Sequence, residues 1–399
     1  MPDLVFQQAA TIVNSLYQQA TGKTDLTATD LSSFVSVGQA VLSCGTNQVV
    51  DTLTQLMGNT IFAIRPYYAK FTNLYANEER WGMVTRKINY ANNPVVDNKE
   101  YELTDGAAID HYKVNKPKVL ETKFYGGNTY MATISITRNQ LNTSFRGPEE
   151  LLSFHQSLLT SINNDLEQYR ENNTRAVIAN LIGAKNISND SGVLHLVTMY
   201  NDYLGLDGTT GKEKKTLNDL RTSSEYKTFM LWVYSQIASY ADLLTERSYL
   251  YHTNITNFNS KDYSIPRFTP YDRQKVFILN SDRYAMEKMV LADIYHDNYL
   301  ALSDVNTVNY WQSIETPDSI NVTPSVLQSD GSVTKGAAQN LDNIFAVIID
   351  EDAAGYTLKN QWSAATPINA FGGYYNLAFH ETYRYWNDQT ENALVFMLD

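Results

Sequence analysis

The sequence predicts an α+β chain, and three observations carry that prediction. One uninterrupted amphipathic pattern runs from Pro148 to Ile182. Several short stretches instead alternate with the period of a strand or form brief apolar runs, as in "NTYMATISIT", "KVFILN" and "NIFAVIIDED". Between Glu78 and Lys123 the charges crowd together with both signs mixed, flanked on each side by strand-like pieces. One long helix, scattered strands and a charged two-armed excursion do not fit an all-α bundle. Without a regular strand–helix repeat they do not fit a barrel of alternating units either.

The long helix is the best-marked element. Gly147 and Pro148 open it, and Pro suits a first helical turn because its missing N–H would be unpaired there anyway. Glu149 and Glu150 sit at the positive end, with Arg170, Arg175 and Lys185 toward the negative end. Leu151, Phe154, Leu158, Ile162, Leu166, Tyr169, Val177 and Leu181 step by three or four residues into one narrow stripe. Glu171 and Arg175 form an i,i+4 pair. At 1.5 Å per residue the helix spans roughly 50 Å, more than a compact domain of this size requires. It reads as a strut with a sheet on one side and polar surface on the other.

The flanking regions follow from composition. Residues 1 to about 60 hold five charges and two short amphipathic patterns, around Ile12–Tyr17 and Leu31–Val35, which read as an arm with short helices. "TIFAIRPYYAKFTNLYA" is dense in aromatics and reads as a buried strand or turn leading into the main body. The excursion reads as a two-stranded ribbon, which is barely stable alone and has to lie on another surface. After Gly183, "LNDLRTSSEYKTFMLWVYSQIASYADLLTERSYLYHT" reads as one or two helices and "SDRYAMEKMVLADIYH" as another. "QSDGSV" reads as a turn. The end of the chain reads as two strands, the first with Tyr375, Leu377, Phe379, Tyr383 and Tyr385 on one face.

Charge and cysteine content restrict the function classes. The net charge of −12 repels nucleic acid on average, since tight binding needs clustered cations to displace counterions. The single cysteine, Cys44, excludes an intrachain disulfide framework and reads as a small buried hydrophobe. No signal-peptide pattern and no apolar run of spanning length is present, so the sequence predicts no membrane association. No P-loop, G-x-G-x-x-G, H-E-x-x-H or G-x-S-x-G motif occurs. The six histidines stand far apart, with His155 and His380 read as structural. The acidic run Asp350, Glu351 and Asp352 closes a strand and reads as a solvated turn rather than a cation site. The expectation is therefore no catalytic, cofactor-binding or metal-binding residue, and no cofactor.

The order of parts resembles the major capsid proteins of tailed bacteriophages, the Hong Kong 97-type fold. That order is sparse arm, charged ribbon, long helix, mixed module and two returning strands, "NLAFHETYRYW" and "ALVFML". The bacterial nanocompartment shell proteins share the fold. The resemblance implies an N-terminal arm and lead-in segment over 1–76 and an extended loop over 77–146. It further implies a peripheral domain over 147–204 with the spine helix at 148–184, an axial domain over 205–365, and strands returning to the peripheral domain over 366–399. It implies a non-enzymatic head protein, assembled in the host cytoplasm, that forms hexamers and pentamers of an icosahedral or prolate shell in the virion around double-stranded DNA. Implied partners are copies of itself, a separate scaffolding protein, the portal and head-completion or decoration proteins; packaged DNA is touched only non-specifically. Residues 1–60 are neither highly charged nor heptad-patterned, so no fused scaffold segment is expected. Some relatives crosslink a loop lysine; Lys99, Lys113, Lys116, Lys118 and Lys123 are available, and no crosslink is expected. A carbohydrate-active hydrolase using scattered acids and aromatics, and a tail protein, are the competing readings.

Overall fold

The computed structural model describes residues 6–43, 71–76, 84–91, 95–98, 114–137, 148–188, 191–281 and 306–399, with Arg283 and a few single positions between 101 and 112. Cys44, His111, His296 and most of the expected helix "SDRYAMEKMVLADIYH" lie outside them, as does the lead-in segment before Phe71.

Two sheets and one helix set the architecture. The first sheet has five strands, in the spatial order Val193–His195, Ala393–Met397, Ile344–Asp350, Gln274–Leu279 and Asn306–Val308. Ile344–Asp350 and Ala393–Met397 are buried along their whole length, which is why "IFAVIID" and "ALVFM" are continuous apolar runs rather than alternations. One face, with Val347, Ile349, Val395 and Phe277, meets the end of the long helix at Ile178 and Ile182. The other, with Phe345, Ile348, Leu394 and Phe396, meets the helices Leu196–Tyr203 and Tyr226–Thr245 through Tyr200, Phe229, Val233 and Ile237. The short helix Leu217–Thr222 between them in the chain is started by a Thr216–Asp219 capping box.

The second sheet has three antiparallel strands, Ala354–Ala365, Tyr374–Asn387 and Asn128–Thr137. Here alternation replaces continuous burial. Tyr375, Leu377 and Phe379 face Leu158, Ile162 and Leu166 of the long helix, while Thr129, Met131, Thr133 and Ser135 point outward. The long helix covers this sheet and then runs on to the five-stranded one. It is half-buried along the three-stranded sheet and almost wholly buried over Ile178–Lys185, where it meets the five-stranded one.

Three sequence expectations are corrected. The helix spans Pro148–Ser188, passing through Gly183 rather than ending at 184. A Cβ at Gly183 would stand 2.7 Å from the Val322 side chain, so this glycine serves close packing and not helix termination. The two closing strands do not return to one place: Tyr374–Asn387 joins the three-stranded sheet, whereas Ala393–Met397 joins the five-stranded one. Finally, the ribbon proper ends at Tyr125; after Gly126 and Gly127 the chain enters Asn128–Thr137, which pairs with Tyr374–Asn387. The N-terminal region forms the expected short helices, Phe6–Thr21 and Leu31–Ser43, and the first lies against the long helix.

Candidate functional site

The ribbon consists of Val84–Ala91 paired antiparallel with Lys118–Tyr125, in register from Val84↔Tyr125 to Ala91↔Lys118. A strand places alternate residues on opposite faces, and here the two faces are inverted relative to a folded sheet. The face turned toward the chain's own body carries Thr85, Lys87, Asn89, Lys118 and Thr122, with Leu120 and Phe124 half-buried. The face turned to solvent carries Val84, Ile88, Tyr90, Val119 and Tyr125. Exposures of 55% for Ile88, 69% for Tyr90 and 79% for Tyr125 leave most of that apolar surface in water. Arg86, Glu121 and Lys123 form an ion cluster at its centre, with Arg86 Nε 2.6 Å from Glu121 Oε1.

Polar contacts hold the inward face. Each inward residue of Val84–Ala91 meets a different group of the body. Thr85 accepts a hydrogen bond from Arg384, whose Nε also donates to the Gly126 carbonyl at 3.1 Å. Lys87 Nζ lies 2.9 Å from Asp388 and 2.6 Å from Glu391. Asn89 accepts from Arg267 at 3.2 Å, and Arg267 in turn reaches Glu391 at 3.3 Å and the Thr390 carbonyl at 3.1 Å. Asp388 and Glu391 are almost wholly buried. Burial pulls the Lys87 ammonium down, but the two carboxylates more than reverse this and hold its pKa above the ordinary lysine value. Between the ribbon and the body lies a groove of 820 Å³, lined by Leu120, Phe124, Val177, Phe258, Leu327 and Tyr385.

The long helix contributes two further charged clusters. Glu171 and Arg175, the i,i+4 pair of the sequence, are both buried; Arg175 lies 3.7 Å above the Tyr310 ring and donates to that residue's carbonyl. Arg170 bonds Glu167 at 2.6 Å and Glu381 at 3.1 Å, and stands over the Tyr383 ring. Around them Tyr130, Tyr169, Tyr356, Tyr383 and Tyr385 form a ring cluster between helix and sheet. Burial pushes the Tyr130 phenol up to about 12, and lifts Tyr383 and Tyr385 above the usual range as well. Lys185, buried near the helix end, donates to the Tyr251 carbonyl at 2.8 Å rather than standing in solvent.

The acidic run divides: Asp350 is buried and accepts from Thr269 at 2.8 Å, while Glu351 and Asp352 stay partly exposed around Arg273. Among the described residues no group of three or more His, Cys, Asp or Glu is placed to hold a metal ion. No described helix is long and apolar enough to cross a membrane. His252 is buried among the Leu250 and Ile265 carbonyls and Asn392, with its pKa lowered by burial and by Lys185; His380 stacks on Trp362 at 3.8 Å; His195 meets Asp399. Of the loop lysines, Lys118 is 3.4 Å from Asp262 and Lys123 lies against Glu121, while Lys99 and Lys113 fall outside the described residues. The feature with the character of a functional surface is the ribbon. Its outward face could have been found from the sequence: "VTRKINYA" and "KVLETKFY" each alternate, but the apolar residues of the first fall on the face opposite the buried anchor Lys87.

Comparison with known proteins gives a consistent result. The family model described as Phi29-like phage major capsid protein matches residues 9–397. The capsid structure of Staphylococcus phage Andhra superposes with a TM-score of 0.52 at 11% identity, covering 84% of this chain and 86% of that one. A chain in the head fiber and inner core structure of native bacteriophage P68 gives 0.53 at 11% identity, covering 84% and 88%. No curated protein sequence matches this chain.

Proposed function

This chain belongs to the Phi29-like phage major capsid protein family, and from that premise we propose how it builds its shell. It is a structural capsid protein of the virion that associates with copies of itself; the hydrolase and tail readings are not favoured. In our reading the copies group as hexamers and pentamers of a closed icosahedral or prolate shell around double-stranded DNA, assembled in the host cytoplasm. The ribbon acts as the extended loop, Pro148–Ser188 as the spine of a peripheral domain shared with the three-stranded sheet, and the five-stranded sheet with its helices as the axial domain. A separate scaffolding protein, the portal and head-completion proteins are the partners. No catalytic step and no loop-lysine crosslink is needed.

The observation that carries this reading is the ribbon's outward apolar face. Val84, Ile88, Tyr90, Val119 and Tyr125 project away from their own chain, and exposed apolar residues gathered on one face mark interaction surfaces. Tyrosine suits such contacts, because its ring packs while its hydroxyl bonds. The charge of −12 supports a shell whose bulk surface does not grip the genome it encloses. The test is Ile88→Lys with Tyr90→Lys. The subunit is expected to fold, as judged by circular dichroism, and to fail to close shells in negative-stain microscopy. Normal shells from this variant would overturn the reading.

A further inference from the structure

We propose that Lys87 is a positioning residue for assembly: its ion pairs with Asp388 and Glu391 set the pose of the ribbon on its own chain before any neighbour arrives. The inference rests on the ribbon being an assembly surface and adds what holds that surface in place.

A two-stranded ribbon has no core of its own. If apolar packing fixed its pose, its inward row would be apolar. Instead Thr85, Lys87 and Asn89 turn toward the body, and Leu120 and Phe124 on the partner strand line an open groove rather than a filled core. Geometry is therefore imposed by directional contacts. Three groups meet the row in order: Arg384 at Thr85, the Asp388–Glu391 pair at Lys87, and Arg267 at Asn89. Of these inward residues, only Lys87 brings a full charge; on the partner strand Lys118 reaches Asp262 at 3.4 Å, but that carboxylate is exposed, whereas Asp388 and Glu391 are buried.

The charge balance makes Lys87 decisive. Asp388 uses one carboxylate oxygen to hold its own turn, accepting from the Thr390 amide at 3.0 Å and hydroxyl at 2.6 Å; its other oxygen takes Lys87. Glu391 shares Arg267 and Lys87. With the ribbon down, two buried carboxylates face two cations. With the ribbon lifted, the same two face Arg267 alone, with Asp352 adding a further negative charge near the vacated position. The two carboxylates attract the Lys87 ammonium in a partly dehydrated setting, and lifting the ribbon removes one of the two cations that balance them, so the turn at 388–391 favours the docked ribbon. That turn links the three-stranded sheet, which ends at Asn387, to the five-stranded sheet, which resumes at Ala393. The latch thus fixes the ribbon where the chain passes from one sheet to the other. A surface held in one pose before association loses less freedom on binding than a mobile one.

The experiment compares the full-length wild-type chain with Lys87→Met, Lys87→Arg and the double variant Lys87→Met with Glu391→Gln, by hydrogen exchange on unassembled subunits and by the rate of shell formation. Lys87→Met is expected to speed exchange in 84–91 and 118–125 by about tenfold or more, with less than about twofold change in 344–350, because local opening is separable from global unfolding. Lys87→Arg is expected to restore most ribbon protection, and Lys87→Met to assemble more slowly. If burying two unbalanced carboxylates prevents Lys87→Met from folding, the double variant removes one of them and carries the test. Wild-type ribbon exchange in the double variant, or equal acceleration in ribbon and core, would overturn the proposal. Exchange in the free subunit reports on the latch whether or not shells form, so it fails separately from the outward-face variant above.

Discussion

The five-stranded sheet and the ribbon are both antiparallel strand pairs at heart, yet they solve opposite problems. In the sheet, Ile344–Asp350 is flanked by strands on both edges and covered by helices on both faces, so the chain supplies every partner. In the ribbon, two strands have one face latched by charges and the other presenting Val84, Ile88, Tyr90, Val119 and Tyr125 to water. The difference teaches where the subunit is complete and where it is not. The sheet is closed on both faces by its own chain; in the function proposed above, the ribbon's apolar surface is left for another copy.

The comparison breaks most readily where the sheet is hollowed. Phe345→Ala, at a position with no exposed surface, is expected to destabilise the unassembled subunit by about 3–5 kcal/mol in urea titration. Gly183→Ala is expected to cost about 1–3 kcal/mol, because its methyl enters the space of Val322, in the short strand Ile320–Val322 that lies against the long helix. Ile88→Ala on the ribbon is expected to change subunit stability by under about 0.5 kcal/mol in the same titration, while weakening assembly measured by sedimentation. A large stability loss from Ile88→Ala would place the ribbon in the fold's core.

An alkaline titration sharpens the contrast without mutation. Tyr130 has its pKa raised from 10.0 to about 12, and Tyr383 and Tyr385 are raised further, all by burial. Their folded-state values exceed the unfolded one, so their contribution is complete below pH 10 and is lost as pH climbs toward 12 and beyond. Tyrosinate absorbance and circular dichroism recorded together should show loss of structure accompanying phenolate formation above pH 10. Phenolate appearing at the cluster near pH 10 with structure intact would contradict the packing described for it.

Much of this was legible in the sequence, and the misses have specific causes. Pro148 and the three-four stripe mark the long helix because both are local signals. Its continuation past Gly183 was hidden, since the reason for that glycine is Val322, far along the chain. Glu171 and Arg175 have the spacing of a surface pair, and only the arrival of Tyr310 and Phe71 makes them buried. The two closing strands could have been separated by pattern alone: "YYNLAFHETYRYW" alternates, as a half-buried strand does, and "ALVFM" is continuous, as a strand covered on both faces is. The ribbon's existence was legible from its charges and alternation. The latch was not, because Asp388 and Glu391 lie some three hundred residues from Lys87.

The central claim is that the ribbon's outward face is incomplete until a second copy covers it. Hydroxyl-radical footprinting of free subunits and assembled shells tests it most directly. The account expects Tyr90 and Tyr125 to be modified readily in free subunits and shielded in shells, with Phe345 and Phe396 shielded in both. Equal modification of Tyr90 and Tyr125 before and after assembly would contradict it.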